Sequence, residues 1–421
     1  MTLPIPPQPQ IVSLPGRVDF TWPAEEIVIA IRRLHAHSDG KVTAHIVVRS
    51  TEKAKPGLLH RGDLNLSATR SKRELAKELG SVCPLWDWGR AIEMVCDLTL
   101  NLMEEGEPVQ RVLVSPDDPV PPPAYLIYPL CPLSMPSVIY GNSGTLKSTL
   151  AIGLGLTALL PWEDNPFGVI PPQTPQRPLF LDWEMDGETF RYRLSLYLKG
   201  HHLPAVEMLY RRCFLPLADD LDHIQDIIAQ NGVDFLILDS LAAATGGDLF
   251  KTSETLALFS ALNQLKKTVL ILAHTSKDRD QDTGIYGNVF FENYSRSVWE
   301  IRKSQEMGAS VSFLALIHRK FNISGNLPPI GLQFEFSPKS PPASLLVVSH
   351  TDALSVEGVL ARFSVRSQIL HSLKSGPLKV TALSSLLDVP TNKVSPRLSE
   401  LKKSGQVVAL PDGFWGLALK N

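Results

Sequence analysis

The feature that most constrains the fold is a series of short apolar runs in the middle of the chain, the first three of which are each followed by a segment of helical pattern. The runs lie between residues 136 and 320 and read PSVIYG, RPLFLDWE, VDFLILDSL, KTVLILAHTS, SVWEIRK and SFLALIHRK. Strands that are apolar on both faces and alternate with helices are typical of a parallel sheet covered on both sides. The sequence therefore predicts an α/β core.

Two proline-rich stretches, at 115–137 and 337–344, separate this core from the rest of the chain. Proline fixes φ and removes a hydrogen-bond donor, so such stretches are predicted to be connections. The expected parts are a small α+β module at 1–115, a linker at 116–136, the core at 137–336, a linker at 337–361 and a C-terminal domain at 362–421. In the first part, two β-rich runs around a Ser-Asp-Gly turn predict a hairpin. Residues 161–178 are interpreted as a surface connection.

Composition argues against several classes of protein. The chain is 44% hydrophobic and 20% charged, and it has no long apolar run without polar interruption, so no membrane span is expected. The first residues lack a basic stretch followed by an apolar one, which predicts no secretory signal and a cytoplasmic location. Four cysteines without CxxC spacing favour neither a zinc site nor a disulfide framework.

The stretch VIYGNSGTLKSTLAIGL, residues 138–154, places a glycine-containing loop between a strand and a helix. This context is that of a phosphate-binding loop, in which backbone N–H groups meet phosphate oxygens. Lys147 is expected to reach the β- and γ-phosphates of ATP, and Ser148 to place its hydroxyl on Mg²⁺. The predicted nucleotide-binding residues are Gly141, Asn142, Ser143, Gly144, Thr145, Leu146, Lys147, Ser148 and Thr149.

Leu146 stands where the common loop pattern has a glycine. We expect it just inside the helix start with ordinary right-handed dihedrals and with its side chain pointing away from the nucleotide. The alternative is a degenerate loop that no longer binds ATP.

Polar residues follow three of the other apolar runs. Asp239 is expected to hold the water shell of the magnesium ion, although many strands end in aspartate. Glu184 is a candidate general base that polarises the attacking water, or else a carboxylate stabilised by a helix dipole. His274, Thr275 and Ser276 are candidate sensors of the γ-phosphate, or else a simple turn at the strand end.

These segments together resemble the RecA-like ATPases, and within them the RepA-type hexameric helicases and a related group of phage and plasmid ATPases. The segments that carry the resemblance are YGNSGTLKSTLAIGL, LFLDWEMDGETFRYRL, VDFLILDSLAAATGGD, LILAHTSKD and GNVFFENYSRSVWEIRK, within residues 135–325. The resemblance implies a RecA-like parallel-sheet core, ATP and Mg²⁺ as ligands, and a homo-oligomer in the form of a ring. It implies that nucleotide binding and hydrolysis depend on Lys147, Ser148, Glu184 and Asp239, with Ser148 and Asp239 at the metal and His274 as the sensor.

In such rings the neighbouring subunit supplies basic residues from a late strand. Arg319 and Lys320 are the candidates for this trans-acting role, with Arg296 and Arg302 as weaker ones. The Lys-x-Arg pattern of the family reads Lys320-Phe321-Asn322 here, so the arginine is absent from its usual place. An exposed basic strand end is the alternative interpretation.

The C-terminal residues 362–421 carry nine Lys or Arg against three Asp or Glu, whereas the whole chain is at −2. Such asymmetry indicates an end that meets a polyanion. The same segment contains three helical patterns and then two predicted strands around Pro-Asp-Gly. This order of elements looks like a bacterial winged helix-turn-helix. Thr391 is expected to cap the third helix, Gly405 to end it, and Pro396 to lie in its first turn. Predicted DNA contacts of this helix are Asn392, Lys393, Ser395, Arg397 and Lys402. The alternative is a protein-interaction module, a role that winged helices also have.

The sequence thus predicts an oligomeric, Mg²⁺-dependent ATPase that acts on DNA as a helicase or as a loader of a phage, plasmid or mobile element. The alternative is a DNA-binding regulator or scaffold in which ATP is a switch or is not bound. A kinase-like phosphotransferase is disfavoured because no acceptor-substrate lid or pocket is visible in the sequence.

Overall fold

A computed structural model describes residues 4–14, 17–37, 39–51, 57–105, 109, 111–117, 119, 123–275, 284–322, 325–337, 342–356, 359–360 and 363–418. The chain divides into two compact units, Met1–Pro122 with Ser260–Lys266 and Pro123–Phe259 with Lys267–Asn421. In the described part of the chain, every helix is too short or too polar to cross a membrane.

The first unit contains an antiparallel sheet of five strands in chain order. The strands are β1 (Gln10–Leu14), β2 (Arg17–Trp22), β3 (Ile27–Ala36), β4 (Val42–Ser50) and β5 (Gly57–Asn65), followed by the helices α1 (Thr69–Val82) and α2 (Trp88–Glu105). β3 and β4 pair antiparallel on either side of the expected turn. Strand residues such as Phe20 and Ile46 share one buried core with Leu79 and Ile92 of the helices.

The second unit is built around a mixed sheet of nine strands, preceded by the short pair β6 (Tyr125–Ile127) and β7 (Cys131–Pro132). The nine strands are β8 (Pro136–Gly141), β9 (Pro178–Asp182), β10 (Leu209–Arg212), β11 (Phe235–Asp239), β12 (Thr268–His274), β13 (Ser297–Ser304), β14 (Val311–Phe321), β15 (Ile330–Ser337) and β16 (Leu345–Thr351). They lie side by side in the order β10-β9-β11-β12-β8-β13-β14-β15-β16. The connecting helices are α3 (Lys147–Leu159), α4 (Gly187–Gly200), α5 (Leu221–Asn231), α6 (Leu241–Thr245), α7 (Thr252–Leu265) and α8 (Phe290–Tyr294). The residues of α7 from Ser260 on are grouped with the first unit.

The sheet is parallel only from β10 to β13. The strands β14, β15 and β16 continue it in antiparallel pairs, which corrects the expectation of a purely parallel sheet. The connection from β13 to β14 is too short for a crossover helix, so the chain can only turn back on itself. The parallel part fits a P-loop core, and it places the ends of β8, β9, β11 and β12 at one edge, where α/β proteins bind ligands.

Two segments interpreted as connections contribute to the core of this unit. Leu126, Ile127 and Cys131, within the predicted linker 116–136, are buried there. Trp162, Phe167 and Val169 are buried in the same core, so the tract 161–178 is not a surface connection. The prolines in these two segments predicted surface connections, and the apolar residues between them were not recognised as core residues. In the second predicted linker, β16 pairs with β15.

Residues 363–418 form three helices and a small antiparallel sheet. The elements are α9 (Val365–Ser372), β17 (Leu378–Lys379), α10 (Val380–Leu387), α11 (Thr391–Lys403), β18 (Val407–Ala409) and β19 (Phe414–Leu417). Ile369, Leu383, Val394, Leu398 and Leu401 share a separate core.

Two details of α11 differ from expectation. Its N-cap residue is Pro390, so Thr391 is already helical and is not the cap. Pro396 therefore lies in the second turn, where it removes one backbone hydrogen bond of the helix. Gly405 follows the helix with φ of 69°, which is the left-handed end that glycine favours.

Candidate active site

The loop after β8 has the geometry of a phosphate cradle. Gly144 adopts φ of 76°, a left-handed conformation that glycine reaches without strain. At Gly141 an added Cβ would lie 2.5 Å from the side chain and carbonyl of Ile301, so only glycine fits between the loop and β13. The Thr145 hydroxyl donates to the Asn142 carbonyl at 2.8 Å and closes the loop on itself.

Leu146 is not inside the helix, contrary to expectation. It is the N-cap residue of α3 and has φ of 61° and ψ of 23°, in the left-handed region. This conformation costs a residue with a Cβ about 1–2 kcal/mol. The side chain is half-buried against the core of the second unit, and this apolar contact offsets part of the strain. The backbone at position 146 therefore has the conformation that a glycine would favour, although the residue is a leucine.

Lys147 begins α3 and is buried. Its ammonium donates to the carbonyls of Gly141 at 3.0 Å and Asn142 at 2.8 Å, within the loop. Burial lowers the pKa of Lys147, while the nearby carboxylates of Asp239 and Glu184 act in the opposite direction. An ammonium held among loop carbonyls is well placed to meet the phosphates of a nucleotide.

Two carboxylates lie side by side at the ends of neighbouring strands. Asp239 on β11 pairs in register with Asp182 on β9, and their relative exposures are 4% and 0%. One carboxylate oxygen of each, Oδ2, is buried without a hydrogen-bond partner among the described residues. Burial raises the pKa of Asp239 to about 6, the Ser148 hydroxyl bonded to it lowers the pKa, and the charges of Glu184 and Asp182 raise it further.

This arrangement fits a hard cation such as Mg²⁺, which prefers carboxylate and hydroxyl oxygens. The unpartnered oxygen of Asp239 and the adjacent Ser148 hydroxyl supply two such groups. In the described ranges, no cluster of three or more His, Cys, Asp or Glu is arranged for a metal. The ion would thus depend on nucleotide phosphates for its remaining ligands.

Glu184 lies just beyond β9, and residues distant in sequence hold it. The Ser240 hydroxyl donates to its Oε1 at 2.5 Å, and His274 Nε2 lies 3.9 Å from the same oxygen. These partners, His274 foremost, hold the pKa of Glu184 at about 2. Glu184 is therefore ionised at neutral pH.

Two residues of this site were missed in the sequence. Asp182 accepts hydrogen bonds from the backbone N–H groups of Glu184 and Met185, both at 2.8 Å, and so fixes the turn that presents Glu184. Ser240 orients the Glu184 carboxylate. Both flank recognised motif residues, but their function depends on the register between β9 and β11, which no local pattern reveals.

The sensor candidates lie at the end of β12, beside the loop. His274 faces Glu184, and the Thr275 hydroxyl donates to Asn142 Oδ1 at 3.3 Å. Ser276 lies outside the described residues.

The trans-acting candidates differ in their surroundings. The Lys320 ammonium donates to the carbonyls of Glu292, Asn293 and Ser295 at the end of α8, at 2.7–3.1 Å. Arg319 Nε lies 3.8 Å from the buried Glu300 carboxylate. Arg296 is exposed.

All five predicted DNA contacts on α11 are exposed: Asn392, Lys393, Ser395, Arg397 and Lys402. Arg397 pairs with Glu400 at 2.7 Å, one turn further along the helix. Of the nine basic residues of the C-terminal part, Arg362 and Lys420 lie outside the described residues.

Residues 106–280 match the profile of a family described as an AAA domain. The match takes in the loop, Glu184, Asp239 and His274, and it covers less than half of the chain. It supports a nucleotide-binding P-loop ATPase. No curated protein matches the chain in sequence.

Proposed function

We propose that this protein is an oligomeric, Mg²⁺-dependent ATPase that uses ATP hydrolysis to act on DNA, as a helicase or as a loader of a phage, plasmid or mobile element. The observation that carries the ATPase part is the convergence of Lys147, Ser148, Glu184, Asp239 and His274 at one sheet edge. These residues come from four separate strand ends and surround one phosphate loop.

Each of these residues has a separate role in hydrolysis. Lys147 and the loop N–H groups bind the phosphates and balance their charge. Bound Mg²⁺ would supply further charge neutralisation, held through Ser148 and Asp239. Glu184 orients the attacking water: a carboxylate with a pKa of about 2 is a weak base, so it polarises the water and takes little of its proton before the transition state. His274 and Ser240 keep Glu184 ionised and pointing in one direction.

Action on DNA is supported by the C-terminal part. Three helices around one core, followed by a short hairpin, support the assignment of a winged helix-turn-helix. In such domains the third helix contacts DNA. Here α11 presents exposed basic and amide side chains, a mixture suited to phosphates and base edges.

Oligomerisation into a ring follows from the resemblance to hexameric helicases. A ring would place the exposed Arg296 or the Arg319 end of β14 near a neighbour's nucleotide. Light scattering with and without ATP and Mg²⁺ tests this part, since a monomer under all conditions contradicts it.

A DNA-binding regulator in which ATP is a switch or is not bound is the second candidate, and the left-handed Leu146 favours it, since the loop carries a leucine where the common pattern has a glycine. One experiment separates the two functions. ATP hydrolysis is measured with no DNA, single-stranded DNA and duplex DNA, for the wild type and for Lys147→Ala and Glu184→Gln. DNA-stimulated turnover that both variants lose supports the motor. Nucleotide binding without turnover supports the switch.

A further inference from the structure

A cavity of about 430 Å³ lies beside the phosphate loop. Loop residues Asn142–Thr145 form one wall of it. The end of β13 forms the opposite wall, with Arg302 and Lys303. The cavity therefore joins the phosphate cradle to a basic strand of the same chain.

The loop and this strand are held at a fixed distance. β13 pairs in parallel with β8, the strand that leads into the loop. Gly141, the first loop residue, approaches Ile301 so closely that no side chain fits between them. Residues 302 and 303 follow directly, so their position relative to the loop is set by the sheet and not by a flexible segment.

Both basic residues are already oriented toward this region. The Lys303 ammonium donates to the Gly144 carbonyl at 3.2 Å, which places it at the mouth of the cradle. The Arg302 guanidinium donates through Nε to Glu300 Oε1 at 2.8 Å. Glu300 is 3% exposed and also lies near Arg319, so one buried carboxylate is held by two guanidinium groups. Among the residues that line the cavity, Arg302 and Lys303 are cations and Glu300 is a carboxylate, so this wall carries net positive charge and fits an anion.

We propose that Lys303 and Arg302 bind the triphosphate tail of the nucleotide held in the loop of their own chain. This inference rests on the proposed ATPase function and adds residues to the same site. Lys303 exchanges its contact with the loop carbonyl for one with phosphate oxygens, and Glu300 keeps Arg302 directed into the cavity. Part of the positive charge expected from a neighbouring subunit then comes from within the chain.

Cations lower the barrier of a reaction most when they contact the atoms on which negative charge develops in the transition state. In phosphoryl transfer the negative charge spreads over the oxygens of the transferred group and the leaving group, and fixed cations stabilise it. A rigid strand beside the loop supplies such cations without reorganisation at the moment of reaction.

The test compares Lys303→Met with Lys199→Met, which removes an exposed lysine at the far end of α4, and with Lys303→Arg, which keeps the charge. Equilibrium binding of ATP is measured with Mg²⁺ for each protein. We expect Lys303→Met to weaken ATP binding by about tenfold to a hundredfold, the range for a lost charged hydrogen bond. Lys199→Met should bind as the wild type does, and Lys303→Arg should recover most of the loss.

A mixing experiment decides whether the cation acts within its own chain. Lys303→Met protein is mixed with an excess of Lys147→Ala protein, and turnover is measured. We expect no recovery, because the intact Lys303 belongs to chains whose own loops are disabled. Recovery would overturn the assignment and place Lys303 in a neighbour's site.

The two proposals fail in different ways. If the wild type binds ATP and Lys303→Met binds it equally well, this inference is wrong and the ATPase proposal stands. If the wild type does not bind ATP, both are wrong.

Discussion

The phosphate-loop edge of the large sheet and the helix α11 both present charged residues, but they hold them in opposite ways. At the sheet edge, Lys147, Asp182 and Asp239 are at most 7% exposed, and burial together with neighbouring charges lowers the pKa of Lys147 and raises that of Asp239. On α11, Lys393 and Lys402 are exposed to solvent. Buried charges interact strongly and are not additive, whereas exposed charges are screened and act singly. The first arrangement suits chemistry, and the second suits reversible contact with a polyanion.

The largest effect is expected at Lys147. Lys147→Ala removes the cation that faces the phosphates and takes a positive neighbour away from Asp239 and Glu184. We expect turnover to fall by at least about a thousandfold and ATP binding to be lost. Steady-state hydrolysis and equilibrium binding measure this, with Lys199→Met as the matched lysine control. Retained turnover would mean that the loop is not the catalytic site.

Glu184→Gln sharpens the distinction between binding and chemistry. The substitution keeps the size of the side chain and its hydrogen bond from Ser240 but removes the charge that polarises water. We expect a loss of about a hundredfold or more in turnover, with ATP affinity within a factor of about three. An equal loss in affinity and turnover would assign Glu184 to ground-state binding instead.

Asp239→Asn tests the energetic cost of the buried charges. The folded-state pKa of Asp239 is raised from 3.8 to about 6, so the native protein binds this proton more tightly than the unfolded chain does. Stability from this group is therefore fully present below pH 3.8 and is lost as the pH rises through about 6. At pH 7.5 the variant without nucleotide should be stabilised by up to about 3 kcal/mol, although Mg²⁺-dependent turnover is lost.

Denaturant unfolding at pH 7.5 and pH 5 measures that prediction. The stabilisation should be smaller at pH 5, where part of the wild-type Asp239 is already protonated. Asp164→Asn, at an exposed aspartate, is the control and should change little at either pH. Stabilisation that grows toward low pH would contradict the assigned pKa.

Substitutions on α11 should behave additively. Replacing Lys393, Arg397 and Lys402 together by alanine should weaken DNA binding and reduce the slope of log affinity against log salt by about 0.9 for each lost phosphate contact. The losses in binding free energy of the three single variants should add up to the loss of the triple variant within error. Unchanged DNA binding would remove this helix from the proposed DNA contact.

The smallest effect is expected at Leu146. Leu146→Gly relieves about 1–2 kcal/mol of left-handed strain but loses the half-buried side chain and gains unfolded-state entropy. These terms nearly cancel, so the free energy of unfolding should change by less than about 1 kcal/mol. A large gain in ATP affinity would show that the leucine itself limits nucleotide binding.

Most of the strands that form the site could be predicted because each is an unbroken apolar run. The strands β8, β9, β11 and β12 occur where those runs predicted them, and the loop pattern identified Lys147 and Ser148. What could not be predicted depends on neighbours in space. Asp182 lies beside Asp239 only because of the strand register, and Lys303 reaches the loop only because β13 pairs with β8.

Errors arose where a local rule was outweighed by packing. Phe167, among prolines, is buried because the core of the second unit surrounds it. Leu146 was expected to be right-handed, yet the loop must reverse before α3 begins, and burial of the side chain stabilises the left-handed backbone. The strands beyond β13 are antiparallel because the connection from β13 to β14 is short. That consequence can be recognised only when the position of β13 in the sheet is known.

By itself, the sequence determined where most of the strands lie, which loop has the pattern of a phosphate-binding loop and where the basic helix α11 lies, because these depend on periodicity and on residues adjacent in the chain. Only the tertiary structure decided which charges meet. Glu184 and Ser240 are 56 positions apart and yet share a hydrogen bond, and the pKa values of Glu184 and Asp239 move in opposite directions although both are carboxylates. Burial and through-space charge set those values, and both arise only when the sheet has formed.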